Sequence, residues 1–188
     1  KKLITFFTGN RAEYSLIHPL FQRLENDNTF LFNLLVAGAH LDPIYGNTIS
    51  EVQKSGVTIT KLPANESTIN SEFSDVPLHI SKLIEDVANY LSLNKPDLFV
   101  VYADRFESFA AVVAASQQGI PVLHIEGGDI TEGGCLDDNI RHAMTKLSHL
   151  HCTTNVLSYK RVISLGEEPW RVCNIGLPSL ALGSTSLN

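Results

Sequence analysis

The sequence has 188 residues, of which 44% are hydrophobic, and its formal net charge is −6. A chain of this length and composition can bury a sizeable core as one domain, or as one lobe of something larger. The acidic balance lacks the basic surface that binds nucleic acid or anionic membranes, so we expect neither partner.

The cysteines and the hydropathy of the sequence indicate the cellular compartment of the protein. The three cysteines form no CxxC pair, which is typical of a reduced, cytoplasmic chain. No apolar run reaches the length of a membrane span. The two N-terminal lysines lead into only a short apolar run, which does not match a secretory signal. We therefore expect a soluble cytoplasmic protein.

Strand-like and helix-like segments alternate along the chain. Continuous apolar runs of strand length predict strands, and apolar residues three and four positions apart predict helices. The predicted strands cover residues 3–7, 30–37, 57–62, 98–102, 121–125, 151–154 and 172–175. The predicted helices cover residues 15–25, 47–55, 76–93, 106–118 and 156–165, with one more opened by Asp137 or Asp138 as its cap. The segment 63–75 is polar, and we expect it to be mobile.

This alternation predicts an α/β fold, a Rossmann-like parallel sheet with helices on both faces. Ligands of such sheets bind outside the carboxyl ends of the strands. Unusual polar residues follow four of the predicted strands: Arg11 the first, His40 the second, Asp104 and Arg105 the strand 98–102, and Glu126 the strand 121–125. The sequence therefore predicts a site at that edge.

The most distinctive stretch of the chain is HIEGGDITEGGCLDDNIRHAMTK, residues 124–146. Its glycines allow backbone conformations closed to other residues, and its carboxylates crowd around them. Arg141 and His142 follow one turn into the predicted helix. Two carboxylates held close together raise the pKa of one of them, so Asp104 and Glu126 are candidates for moving protons near neutral pH. Asp137 and Asp138 add further acids.

Simpler interpretations of these motifs remain open. The turn GNRAEYS at 9–15 matches neither GxGxxG nor a Walker loop, so a dinucleotide or ATP finds no support. A helix N-terminus with Arg11 and the Ser15 hydroxyl could hold a phosphate, or the turn could be an ordinary capped one. Asp104 and Arg105 could form a simple ion pair.

Metal and acyl-transfer chemistry find little support in the sequence. The spacing of the histidines and cysteines matches no structural zinc pattern, so no metal is predicted. The candidate ligands were His124, His142, His149, His151, Cys135 and Cys152. GxSxG is absent, and no cysteine has an obvious partner histidine in a nucleophile motif.

Five segments, in order along nearly the whole chain, carry a family resemblance. They are TGNRAEYSLIHPL (8–20), AGAHLDPIYGNT (37–48), PDLFVVYADRFES (96–108), HIEGGD (124–129) with LDDNIRHAMTKLSHLH (136–151), and NIGLPSL (174–180). Together they resemble the UDP-N-acetylglucosamine 2-epimerase family, in particular its hydrolysing branch. The non-hydrolysing branch has a GTRPE-like turn and an HVEAGLR-like motif at these places. Ala103 departs from the family, which usually has glycine there, and could alter the loop geometry slightly.

The resemblance implies a fold of two Rossmann-like lobes in the GT-B arrangement, with the site in the cleft between them. The chain resembles the N-terminal lobe, over residues 1–175, and residues 176–188 are expected to begin the crossover toward a C-terminal lobe. That missing lobe would carry most nucleotide contacts and complete the site. Family members often form a homodimer through the first lobe, so a homodimer is expected.

The resemblance also implies a reaction on a nucleotide-sugar substrate. A base removes the proton on carbon 2 while UDP leaves carbon 1, and water then adds to release N-acetylmannosamine. Acid/base work falls to Asp104, Glu126, and Asp137 or Asp138, with His142 orienting a carboxylate or meeting the sugar. Substrate binding falls to Arg11, Ser15, His40, Arg105 and Arg141, and no metal or redox cofactor is required.

Three alternatives remain. The same chemistry could act on a GDP-linked or diacetamido sugar of the legionaminic acid type, since this lobe does not fix the base. An isolated lobe could instead be a non-catalytic module that binds another chain. A GT-B glycosyltransferase would not need so many carboxylates around one cleft.

Overall fold

The computed structural model describes residues 1–41, 48–62 and 75–178. Its strands are β1 (Lys2–Thr8), β2 (Phe30–Val36), β3 (Ile59–Lys61), β4 (Leu98–Tyr102), β5 (Val122–Ile125), β6 (Leu150–Thr153) and β7 (Val172–Asn174). Its helices are α1 (Arg11–Glu25), α2 (Ile49–Gln53), α3 (Val76–Leu93), α4 (Phe106–Gln117), α5 (Leu136–Leu147) and α6 (Val156–Ser164). All neighbouring strands run parallel, in the order β3-β2-β1-β4-β5-β6-β7. The predicted parallel α/β sheet is confirmed.

Two hydrophobic clusters, one on each face of the sheet, hold the helices in place. Successive strand residues point to opposite faces, so Phe6 and Phe7 of β1 enter different clusters. The Phe7 cluster contains buried residues of α3, α4 and α5. The Phe6 cluster contains buried residues of α1 and α2. Helices therefore cover both faces, as the continuous apolar strands predicted.

Most element bounds lie within a few residues of the predictions, and those of α3 and β4 match them. Helix α1 begins at Arg11, four residues earlier than predicted, because Asn10 caps it and accepts a 3.0 Å hydrogen bond from the Glu13 amide. The predicted cap of α5 is wrong. That helix begins at Leu136 with Cys135 in the cap position, since the Asp138 carboxylate bonds to the preceding loop instead.

Two sets of predictions fall outside the described residues. They are the mobile segment over residues 63–74 and nearly all of the crossover over residues 176–188. Within the described part of the chain, the helices are too short or too polar to cross a membrane.

Candidate functional site

The candidate site lies at the carboxyl edge of four adjacent strands. The strands β2, β1, β4 and β5 are neighbours and run parallel, so the loops that follow them emerge side by side. These loops carry the polar residues that the sequence placed after strands. The sheet order thus brings together four segments that are far apart in the sequence.

Asp104 and Arg141 form the ion pair at the centre of this edge. The Arg141 guanidinium donates a hydrogen bond to the Asp104 carboxylate, and its other terminal nitrogen lies 3.8 Å from Asp138. Arg141 is buried and Asp104 is mostly buried. Burial raises the pKa of Asp104, while the nearby arginine opposes that rise without cancelling it. The alternative of a simple ion pair between Asp104 and Arg105 is not what the structure shows, since Arg105 pairs with Glu107.

Glu126 extends this centre from the end of β5. Burial raises the pKa of its carboxyl, the Tyr102 hydroxyl and Arg141 lower it, and Asp129 and Asp104 raise it further. The two predicted carboxylates therefore lie close enough to influence each other, and burial raises the pKa of both. A carboxyl with a raised pKa suits proton transfer near neutral pH.

Asp137 and Asp138, adjacent on α5, have different surroundings. Asp138 is buried and accepts hydrogen bonds from the Thr131 amide, at 3.0 Å, and from the Thr131 hydroxyl, at 3.2 Å. These bonds lower its pKa and fix the loop before α5. Asp137 makes no hydrogen bond or ion pair within the described ranges, and its charge raises the pKa of Asp104. Asp137 is thus the carboxylate left available at the edge.

His142 stands beside this centre on α5. Its Nδ1 atom is buried and has no hydrogen-bond partner among the residues that the structure describes. Burial lowers its pKa, while the charge of Asp138 opposes that change. A neutral imidazole with an unpaired buried nitrogen is suited to meet a ligand group or to orient a carboxylate.

Arg105 belongs to a second cluster of charged residues, with Glu107 and Glu13, near the ends of β1 and β4. Its Nε atom lies 3.3 Å from the buried Glu107 carboxylate, and its guanidinium lies 5.4 Å from the Phe106 ring centre. Glu13 is buried nearby and accepts hydrogen bonds from the Gly9 amide, at 2.9 Å, and from the Ser108 hydroxyl. The Arg105 side chain keeps 43% of its surface exposed, so it remains available to an anion.

Arg11 begins α1, and Ser15 follows one helical turn later. Arg11 is largely exposed and forms a 2.9 Å ion pair with Glu51 of α2. The Ser15 hydroxyl donates to the carbonyl of Arg11 at 2.9 Å. Both residues are exposed on the surface.

His40 differs from the other predicted binding residues because it is fully buried. Its ring nitrogens lie 3.0 Å from the Thr8 hydroxyl and 2.9 Å from the Thr48 hydroxyl. Burial lowers its pKa to about 4, so the ring is neutral at physiological pH. Both nitrogens are engaged, and the histidine ties the loop after β2 to β1 rather than facing a ligand.

The glycine-rich loop after β5 is anchored against α6. Gly128 has φ +84°, and a Cβ atom on it would lie 2.4 Å from the Ser158 carbonyl oxygen. Asp129 accepts hydrogen bonds from Thr154, Asn155 and Ser158. The predicted use of glycine for a backbone conformation closed to other residues is confirmed at Gly128, and the acid beside it fastens the loop.

Sequence reasoning missed three residues at the edge of the sheet that carries the candidate site. Glu13 and Glu107 are buried acids, and Tyr102 is a buried phenol beside Glu126. The pattern Asn10-x-x-Glu13 is a helix-start signature that could have indicated Glu13. No local sequence pattern indicates either of the other two residues. Tyrosine is an ordinary residue at the end of an apolar strand, and glutamate is ordinary in the first turn of a helix.

A metal centre finds no set of ligands here. Over residues 1–41, 48–62 and 75–178, no three histidine, cysteine, aspartate or glutamate side chains are grouped so that they could hold an ion.

Comparison with known proteins assigns the family. The family model described as UDP-N-acetylglucosamine 2-epimerase matches residues 22–182. The chain belongs to the UDP-N-acetylglucosamine 2-epimerase family. It is 38% identical to the polysialic acid biosynthesis protein P7 of Escherichia coli over 93% of this chain and 44% of that protein. It is 34% identical to the GDP/UDP-N,N'-diacetylbacillosamine 2-epimerase (hydrolyzing) of Campylobacter jejuni over 94% of this chain and 45% of that protein.

Solved structures of family members share the fold. The crystal structure of UDP-GlcNAc 2-epimerase from Neisseria meningitidis, bound to UDP-GlcNAc, matches all of this chain and 50% of that chain. The TM-score is 0.81 at 23% sequence identity. The chain therefore spans about half the length of these relatives.

Proposed function

We propose that this chain is the N-terminal lobe of a hydrolysing UDP-N-acetylglucosamine 2-epimerase, which releases N-acetylmannosamine and UDP. The observation that carries the proposal is the joining of Asp104, Glu126 and Arg141 at one sheet edge. Family membership and the hydrolysing relative of Campylobacter jejuni support the reaction type. A second lobe would supply the remaining nucleotide contacts.

In the proposed reaction, a carboxylate of the Asp104–Glu126 pair takes the proton from carbon 2 of the sugar. The electron pair of that bond forms the carbon 1–carbon 2 double bond, and the bond from carbon 1 to the diphosphate oxygen breaks. Water then adds across the double bond, with its hydroxyl on carbon 1 and a proton on carbon 2. Removal of a weakly acidic carbon-bound proton requires a base held close and aligned, which partly buried carboxylates just after two strand ends provide.

The remaining residues divide between leaving-group and sugar contacts. Arg105 and Arg11 are exposed cations that match the charge of a diphosphate, and Ser15 lies one helical turn from Arg11. Arg141 is held by Asp104, so we assign it to aligning that carboxylate. Asp137, rather than Asp138, is our third acid/base candidate because its carboxylate is unpaired in the described part of the chain. His142 is assigned to the sugar.

The test is proton NMR of the full-length protein with UDP-N-acetylglucosamine in deuterated water. The expected products are UDP and N-acetylmannosamine that carries deuterium at carbon 2. Asp104→Asn and Glu126→Gln should each abolish most turnover, whereas Glu85→Gln on the exposed face of α3 should not. Normal turnover in both site variants would contradict the assignment of the carboxylates.

A second substrate is favoured by one specific observation. The Campylobacter jejuni relative is a GDP/UDP-N,N'-diacetylbacillosamine 2-epimerase, and its identity to this chain extends over 94% of the chain. The same assay with GDP- and UDP-linked diacetamido sugars distinguishes the two. Preferred turnover of a diacetamido sugar would replace UDP-N-acetylglucosamine as the substrate and leave the chemistry unchanged.

The partner predictions are tested separately. The isolated 188-residue chain should give no turnover if a second lobe completes the site, and activity of that chain alone would refute this. Formation of a homodimer through this lobe also stays a prediction, which light scattering of the purified protein checks.

A further inference from the structure

Tyr102, the last residue of β4, carries a buried hydroxyl without a regular hydrogen bond. The side chain is fully buried in the cluster that contains Phe6. Its oxygen has no hydrogen-bond partner of regular geometry within the described ranges. Burying an unpaired hydroxyl costs free energy, and a phenylalanine would fill the same space without that cost. Packing alone therefore does not account for the hydroxyl.

Glu126 lies beside this hydroxyl because of how β4 and β5 end. Tyr102 is the register partner of Ile125, and the Ala103 amide donates to the Ile125 carbonyl at 3.0 Å. Ala103 and Glu126 both leave their strands in the left-handed region, at φ 58° and 67°. A residue with a side chain rarely adopts that conformation. At Glu126, where the backbone takes this conformation, the side-chain carboxyl lies near the Tyr102 hydroxyl. That hydroxyl lowers the pKa of the carboxyl.

Other charges face the same carboxylate from three directions. Asp104 lies on the loop after β4, Asp129 on the loop after β5, and Arg141 on α5. Burial and the two aspartates favour the protonated form of Glu126, whereas Arg141 and the tyrosine favour the ionised form. Arg141 is already paired with Asp104. The tyrosine is thus the neutral donor within reach of Glu126.

We propose that Tyr102 is a positioning residue for Glu126, and that its hydroxyl donates a hydrogen bond to the Glu126 carboxylate when that group is ionised. The bond holds the carboxylate in one orientation at the sheet edge and keeps it available as a base. The proposal rests on the proposed epimerase function only in taking Glu126 to act in turnover. The contact itself belongs to the folded chain.

The first experiment compares Tyr102→Phe with the parent in the full-length protein. The ring and its packing are retained, so the variant should fold with unchanged or slightly higher thermal stability. We expect the acid limb of kcat/KM against pH to move to higher pH, with about a threefold to tenfold loss on the acid side and a small loss at the plateau. Tyr90→Phe is the matched control: it removes the hydroxyl of a tyrosine on α3, which accepts a hydrogen bond from Asn33 of β2, and it should leave the limb in place.

The second experiment does not depend on turnover. The full-length protein is labelled with carbon-13 at the glutamate carboxyl carbons, and the Glu126 signal is assigned by its loss in Glu126→Gln. The titration midpoint of Glu126 should be higher in Tyr102→Phe than in the parent. An unchanged midpoint would overturn the proposal, even if the parent turns over no nucleotide sugar. Absence of turnover with a shifted midpoint would instead reject the proposed function and retain the role of Tyr102.

Discussion

Arg141 of α5 is bonded to Asp104 of the loop after β4, across 37 positions of sequence. The pair is partly buried, and Asp138 lies on the other side of the guanidinium at 3.8 Å. One arginine thus contacts two acids, one on the loop after β4 and one on its own helix. The pair also joins α5 to the loop after β4, so it affects both stability and the proposed chemistry.

Replacement of Arg141 by glutamine should lower both stability and turnover. Removal of one partner leaves a mostly buried carboxylate without its countercharge, which typically costs about 3 kcal/mol. We expect a loss of about that size in the free energy of unfolding, measured by urea denaturation, and a fall in kcat/KM of the full-length protein. Arg23→Gln in the last turn of α1, where the arginine is exposed, is the control. Equal stability of the two variants would show that the pair contributes nothing.

Asp137 and Asp138 should respond oppositely to replacement by asparagine. Asp137→Asn should reduce kcat while stability stays within about 0.5 kcal/mol, because its carboxylate holds no other group in the described structure. Asp138→Asn should lower the free energy of unfolding by about 1–2 kcal/mol, since it weakens the bonds to Thr131. Thermal denaturation and steady-state kinetics of the same two preparations check both statements. The reverse pattern would assign the chemistry to Asp138.

Glu13 should make stability depend on pH. Burial is the main cause that raises its pKa from 4.5 to about 8 in the folded chain. The folded state therefore holds a proton that the unfolded state releases, so the contribution of Glu13 is complete below pH 4.5 and is lost as pH rises to about 8. The loss is on the order of a few kcal/mol, and Glu107, whose pKa burial also raises, acts in the same direction.

Glu13→Gln tests this dependence because glutamine keeps the shape of the neutral acid. Urea denaturation between pH 5 and pH 9 should show a shallower decline in the variant than in the parent. Glu25→Gln at the exposed end of α1 should retain the parent's decline. An identical decline in Glu13→Gln would mean that the Glu13 carboxyl is ionised throughout this range.

Gly128 and Gly133 allow packing to be separated from backbone strain. Their φ angles are +84° and +86°, but only Gly128 has a neighbour where a Cβ would be, with the Ser158 carbonyl oxygen 2.4 Å away. Gly133→Ala should cost about 1 kcal/mol from conformation alone. Gly128→Ala should cost at least about 1 kcal/mol more, because backbone atoms of α6 must move. Urea midpoints of the two variants give the comparison, and equal midpoints would show that α6 shifts freely.

Local patterns predicted much of the fold. Continuous apolar runs predicted most of the strands, and helical spacing predicted the bounds of α3, because a buried strand or helix face has a repeating pattern of apolar residues. The sequence also predicted that polar residues directly after buried strands share one sheet edge, and the strand order brings those loops together there. The φ of Ala103 is 58°, in the region that glycine occupies most easily, and an effect of alanine on the loop geometry stays a prediction.

Tertiary structure decided how the site residues are paired. Arg105 pairs with Glu107 and Arg141 pairs with Asp104, although proximity in sequence suggested Asp104 and Arg105. Histidine is a residue type that often binds ligands, but both ring nitrogens of His40 contact threonine hydroxyls, those of Thr8 and Thr48. Such contacts depend on which strands are neighbours in the sheet and on where each helix packs against it. The sequence pattern marks which face of an apolar strand or helix is buried, but it does not record the partner of a polar residue across the sheet, and only the folded chain determines that partner.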